Sequence, residues 1–244
     1  MNKREELLTE KQIRRRTFIA FTFLFLFLGS AILGWQWLHR QPADHGAIQP
    51  LRKVLDANEF IFSSLFSKRH FAKTYSPDLP LPHPRVNGKI GLNSAFDTAT
   101  WKLHLVKAPG DTLLIGIDEI KALPKTEIIF DFKCIEGWSQ VAHWDGVRFK
   151  DFAAKYLLGS KSGAAPTSDK PEDLFNYMGL RTPDGGYYVG IDMKSALHPQ
   201  TILAYEMNGE PLPMNQGAPL RLIIPTKYGV KNLKRIGTIF FSDA

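Results

Sequence analysis

The chain has 244 residues, 44% hydrophobic and 23% charged, so it can form a packed core and is not a disordered chain. Lys and Arg number 31 against 24 Asp and Glu, a formal net charge of +7. The single Cys excludes an intramolecular disulfide framework and any multi-cysteine zinc or iron–sulfur site within one chain.

Taken in chain order, residues 1–16 hold six basic side chains (Lys3, Arg4, Lys11, Arg14, Arg15, Arg16) against three Glu. Thr17 to Leu38 then runs 22 residues without a charge, about 33 Å as a helix, enough for a hydrocarbon core of roughly 30 Å. Trp35 and Trp37 stand near its far end, where aromatic rings favour the headgroup level, and of the basic residues only Arg40 closely follows. The positive-inside bias puts residues 1–16 in the cytoplasm, residues 17–38 across the membrane as a single-pass signal anchor, and residues 41–244 on the far side, which the resemblances given below make the periplasmic side of an inner membrane. Arg15-Arg16-Thr17-Phe18-Ile19 resembles the core of a twin-arginine export signal, read by a receptor that exports folded cargo. Gly29-Ser30-Ala31 is a poor cleavage site. The positive charge comes without a helix-turn-helix, zinc-finger or aromatic RNA motif, so no nucleic-acid partner is expected.

Residues 39–57 read as a linker entering a short helix, and residues 58–244 as one domain. Asn58–Phe71 is apolar enough for helix or strand, and Asp78–Pro84 is too rich in Pro for a regular helix. Strands are predicted at Trp101–Val106, Thr126–Cys134, Tyr187–Ile191, Ile202–Met207, Leu220–Pro225 and Arg235–Phe241, with short helices at Asp118–Leu123 and Phe149–Leu158. Pro109-Gly110-Asp111 and Pro183-Asp184-Gly185-Gly186 punctuate them as turns. The absence of βαβ alternation disfavours a dinucleotide-binding fold and gives a β-rich α+β class.

Cys134 closes an apolar strand and enters a turn through Glu136, Gly137, Trp138 and Ser139. It reads as a buried small hydrophobe, as a nucleophile with His143 or His198 as base, or as a soft thiolate ligand to one metal carried by an organic cofactor.

Two blocks carry a resemblance. The first is Cys134-Ile-Glu-Gly-Trp-Ser139 followed by Trp144-Asp-Gly-Val147. The second is Leu197-His-Pro-Gln-Thr201, Asn208-Gly209, Gly217-Ala-Pro-Leu-Arg221 running on to Pro225, then Lys227-Tyr-Gly229 and Lys231. Together, over roughly residues 55–241, they resemble the molybdopterin-dependent oxidoreductases of the sulfite oxidase superfamily, nearest the catalytic subunits of periplasmic protein-methionine-sulfoxide reductases. The resemblance implies a sulfite-oxidase-type molybdopterin-binding fold behind one transmembrane helix, a mononuclear molybdenum–molybdopterin cofactor, and Cys134 as ligand to the molybdenum. It implies cofactor contacts from Asn58, Thr182, Gln216, Arg221, Asn232, Leu233 and Lys234. Ile61 and Phe62 depart from the Tyr-Glu of the reductase, and Gln216 stands where the reductase has Asn and sulfite oxidases tend to have His.

A pyranopterin phosphate is a dianion, which the run Arg221, Lys231, Lys234 and Arg235 suits on charge alone. The expected function is oxygen-atom transfer, S-oxide reduction or a related reaction, on a small-molecule or protein substrate. No Cys-x-x-Cys-His haem site is present, so electrons would come from a separate membrane haem or quinone subunit. The sequence stops at Ala244 soon after the last motif, so the C-terminal domain of sulfite oxidases is not expected. A cofactor-free exported binding or scaffold module on the same fold, and a thiol enzyme using Cys134, are the alternatives.

Overall fold

In the computed structural model, which describes residues 9–44, 46–65, 70–86, 88–92, 96–108 and 110–243, Thr9 opens the first helix with a reciprocal cap. Its side chain accepts from the Gln12 N–H, and the Gln12 side chain accepts from the Thr9 N–H. Helix α1 runs Glu10–His39, 30 residues or about 45 Å. It exceeds the apolar stretch because Lys11–Arg16 stay helical, with Arg14 pairing to Glu10 one turn back at 3.7 Å. None of its residues is buried, and among the described residues it is the one helix long and apolar enough to cross a membrane. Lys3, Arg4, Pro109, Ala244 and positions 66–69 lie outside the described residues.

Beyond α1, Ala43–Asp44 (β1) pairs with Ala47–Ile48 (β2), and the Gln49 N–H donates to the Pro42 carbonyl at 2.9 Å. Helix α2, Gln49–Leu65, starts there with Pro50 in its first turn, where a missing N–H costs nothing. Within residues 39–57, read as a linker entering a short helix, the structure has the β1–β2 pair and the front of α2. The 57/58 boundary falls inside α2, because no Gly or Pro after Pro50 stops the helix before Leu65. The chain divides into two compact units, Met1–Phe66 and Ser67–Ala244, which leaves Asn58, exposed on α2, in the first.

The second unit is built from Leu103–Ala108 (β3), Asp111–Ile115 (β4), Ile117–Lys121 (α3), Lys125–Lys133 (β5), Ser139–Arg148 (β6) and Phe149–Tyr156 (α4). It continues through Tyr177–Arg181 (β7), Tyr188–Asp192 (β8), Met193–Ala196 (α5), Ile202–Met207 (β9), Glu210–Pro211 (β10), Arg221–Ile223 (β11) and Thr238–Ser242 (β12). One sheet has the order β10-β9-β6-β5, with β11 also pairing to β9, and is antiparallel throughout. The other has the order β4-β3-β12-β7-β8, where only the β3–β12 pair is parallel. This is the β-rich α+β class that the predicted strands without βαβ alternation give. In this unit, strands β4, β6, β7 and β10 go beyond the predicted set, and the expected strand from Arg235 starts only at Thr238, since Arg235 takes a left-handed backbone (φ 51°).

The first sheet is apolar on both faces. Leu203 and Tyr205 of β9, Val147 of β6 and Leu222 of β11 join a large core with Leu103, Leu105, Phe149, Phe152, Met178 and Ile239. The alternate residues Ile202, Ala204, Trp144 and Ile223 join a smaller core with Ile128, Phe130 and Phe132 of β5. Arg221 lies two residues from Ile223 and shares its face, so the chain carries a guanidinium into the smaller core.

Candidate active site

Strand alternation turns Phe130, Phe132 and Cys134 to one face of β5 and its continuation, with Asp131 and Lys133 on the other. The chain then closes a turn: the Cys134 N–H donates to the Trp138 carbonyl at 2.9 Å and the Gly137 N–H to the Cys134 carbonyl at 3.2 Å. Gly137 sits at φ 87°, a conformation that favours glycine. The turn leaves Cys134 8% exposed in the wall of a cavity of about 270 Å³, close to the lower end of the roughly 300–1,000 Å³ usual for small-molecule sites. The rings of Phe132, Trp138 and Trp144 form one side of it, with Phe132 6.3 Å from each indole.

Arg221 is the most unusual group in the cavity wall. It is 2% exposed, and among the described residues no carboxylate pairs with it. Its Nη1 donates to the backbone and side-chain oxygens of Gln216, both at 3.0 Å, its Nη2 reaches the Asn232 carbonyl at 3.5 Å, and its Nε has no partner. The guanidinium lies 4.5 Å from the Trp144 ring centre. Burial alone pushes its pKa down to about 9. Lys234, in the same wall, is pushed down to about 8, by burial first and then by the Arg221 charge.

Five of the residues implied by the resemblance meet here: Cys134, Gln216, Arg221, Asn232 and Lys234 all line the cavity. Asn232 also ties its own turn, accepting from the Ile224 N–H at 2.6 Å and donating to the Tyr228 carbonyl at 3.0 Å. Thr182 and Leu233 lie outside the wall. The Thr182 hydroxyl is engaged in the β7–β8 hairpin, with Asp184 at 2.6 Å and the Tyr187 backbone, while Leu233 is packed into the large core. Lys231 turns to the Gly190 carbonyl, and Arg235 to the carbonyls of Ala218 and Met214. Neither candidate base lines the cavity. His143 stands between Glu127 and Asp145 at 3.1 Å from each, and buried His198 accepts from the Gln200 N–H at 3.2 Å against the Phe71 ring.

Sequence reasoning missed Arg85, Phe132, Gln140, Trp144 and Tyr187 as wall residues. Trp144 carried a partial signal as part of the first motif. Arg85, in a Pro-rich loop far from Cys134 in the chain, carried none.

The residues present fit an anionic cofactor that ends in a soft metal. Arg221 brings a buried positive charge that no carboxylate among the described residues balances, and a buried cation without an anion is costly. Two fully buried donors of the wall residues, Arg221 Nε and Trp144 Nε1, lack acceptors among the described residues. The thiol of Cys134 is the soft ligand of the donor set.

A family model described as the oxidoreductase molybdopterin binding domain matches residues 90–244. A relative from Azospira oryzae, assigned as protein-methionine-sulfoxide reductase subunit YedZ1, is 32% identical over 190 residues, 77% of this chain and 67% of its own. The protein-methionine-sulfoxide reductase catalytic subunit MsrP of Xanthomonas axonopodis pv. citri is 36% identical over 134 residues, 53% of this chain and 41% of its own. That of Campylobacter jejuni is 33% identical over 156 residues, 63% of this chain and 52% of its own. The matches thus span about half or less of the two MsrP relatives. Among solved structures, the sulfane dehydrogenase SoxCD of Paracoccus pantotrophus aligns with a TM-score of 0.49 and 16% identity, over 61% of this chain and 40% of that one.

Proposed function

The chain belongs to the molybdopterin-binding oxidoreductases, and from that premise we propose that it is a membrane-anchored enzyme of oxygen-atom transfer, reducing S-oxides of the methionine sulfoxide kind named for its relatives. The observation that carries the reading is the sharing of one cavity by a buried thiol and a buried guanidinium that no carboxylate among the described residues pairs.

In this reading Cys134, as thiolate, is the protein ligand to a mononuclear molybdenum. Arg221 and Lys234 meet the anionic charge of the cofactor, and Asn232 holds the turn that shapes that end of the cavity. Phe132, Trp138 and Trp144 keep water from one side, which strengthens every charge interaction inside. When bound, the cofactor supplies a metal centre able to exchange an oxygen atom and two electrons. The overall reaction balances as sulfoxide plus two electrons and two protons giving thioether and water. A separate membrane haem or quinone subunit is the proposed electron source. Helix α1 holds the body on the periplasmic side of the inner membrane, reached by the twin-arginine route.

The test is the oxidation of reduced benzyl viologen by methionine sulfoxide, with the full chain produced in a molybdopterin-making host. Wild type turns over. Cys134→Ser replaces a soft ligand with a hard one and loses at least roughly 100-fold, since even outer partners of metal ligands are worth up to about that factor. An unaltered rate in the Ser variant would refute the ligand assignment.

A further inference from the structure

Gln216 departs from the Asn or His of the enzymes it resembles, and its surroundings give the longer amide a specific task. The side chain is buried, 4% exposed, and both ends meet protein. Its Oε1 accepts from Arg221 Nη1 at 3.0 Å, and its Nε2 donates to the Arg85 carbonyl at 3.4 Å. The orientation of the amide follows from its partners, because a guanidinium only donates and a carbonyl only accepts. Asn is one methylene shorter, about 1.5 Å, and cannot span both partners.

The residue at the far end of this span is held unusually well for a loop. Arg85 belongs to no helix or strand, yet buried Gln140 of β6 also clasps it. The Arg85 N–H donates to Gln140 Oε1 at 2.7 Å, and Gln140 Nε2 donates back to the Arg85 carbonyl at 3.3 Å. Its guanidinium lies 4.9 Å from the Trp138 ring centre, in the same cavity wall as Cys134. Two buried amides fix the peptide groups of residue 85 and an indole supports its side chain.

We infer that Gln216 is a positioning residue: it braces the Arg85 loop against buried Arg221 and so sets the substrate-side wall of the cavity, instead of touching the cofactor. The inference rests on the proposed function for the nature of the substrate, but the brace itself does not need a cofactor.

Gln216→Asn and Gln216→Leu in the full chain test it by two readouts. Tryptic cleavage after Arg85, followed by mass spectrometry on folded and cofactor-free protein, should speed up about tenfold in both variants, the factor expected for losing one buried hydrogen bond. The KM for methionine sulfoxide should rise by about the same factor and by more than kcat falls, while molybdenum per chain holds within about twofold. Adding Gln216→Asn to Arg85→Ala should worsen KM no further, because the two act through one wall. If Gln216→Leu does not fold, the Asn variant carries the test. Loss of molybdenum with an unchanged tryptic rate would mean that Gln216 touches the cofactor, and would overturn the inference. Wild-type protein without molybdenum would defeat the proposed function instead, and the tryptic rate would still decide the brace.

Discussion

Arg221 holds positive charge out of reach of water and half-buried Lys234 holds it where water reaches only partly, and the pH behaviour of the cofactor-free chain should report that. The Lys234 amine is pushed down to about 8 from an ordinary 10.5. Between these values the unfolded chain keeps a proton that the folded chain has released, so the Lys234 contribution to stability rises with pH across the window. Below pH 8 both states hold the proton and the cost of the buried charge is present in full. Wild type minus Lys234→Met, compared by Tm against pH, should therefore climb from about pH 8 to about 10.5. Cofactor loading should flatten the climb, because an anion favours the charged amine. Parallel curves for the two proteins without cofactor would contradict the assignment. At this scale the sequence was legible where a motif named the residue: Cys134, Gln216, Arg221, Asn232 and Lys234 all reach the cavity. Thr182 and Leu233 do not, since hairpin and core packing claim those side chains, and Arg85 is brought in by tertiary contacts with Gln140, Gln216 and Trp138, which local pattern does not show.

Among the elements, strands with runs of β-branched and aromatic residues were readable. Ile202–Met207 is observed as predicted, and Thr126–Cys134 is shifted by one residue to Lys125–Lys133. The unread strands carry residues that strands usually avoid, for reasons local pattern does not contain. Strand β6 includes Asp145 and Gly146 beside a register shift against β9, and a side chain at Gly146 would meet the Leu203 carbonyl at 2.1 Å. Strand β7 contains Gly179, whose missing side chain makes room for the Phe240 ring. Helix α1 was read correctly as apolar but its helical start lies earlier, where the Thr9 cap and the Glu10–Arg14 pair extend it. Its Arg15 and Arg16 give the element a prediction of its own. Replacing both with Lys keeps the charge, so a positive-inside anchor would still insert, whereas twin-arginine recognition should fail. A folded reporter fused after the last residue should then stay in the cytoplasm. Unchanged export of the Lys–Lys protein would remove the folded-export proposal.

For the whole molecule, the central fact is how the sheets bring distant residues together. Strand β5 ends at the Cys134 turn, β6 contributes Trp144 and Gln140, and β11 begins at Arg221, three segments spread over nearly 90 residues that share one face of one sheet. The long-range order β10-β9-β6-β5 was not legible from local pattern, because pairing between strands depends on packing that no single segment encodes. Family membership adds the expectation of a molybdopterin, and the cavity is the place proposed for it. The most direct measurement is molybdenum K-edge X-ray absorption on the purified full chain and on Cys134→Ser. The account predicts about one molybdenum per wild-type chain, with a sulfur shell that loses one member in any molybdenum the Ser variant retains. Wild-type protein without molybdenum, or an identical sulfur shell in both proteins, would contradict it.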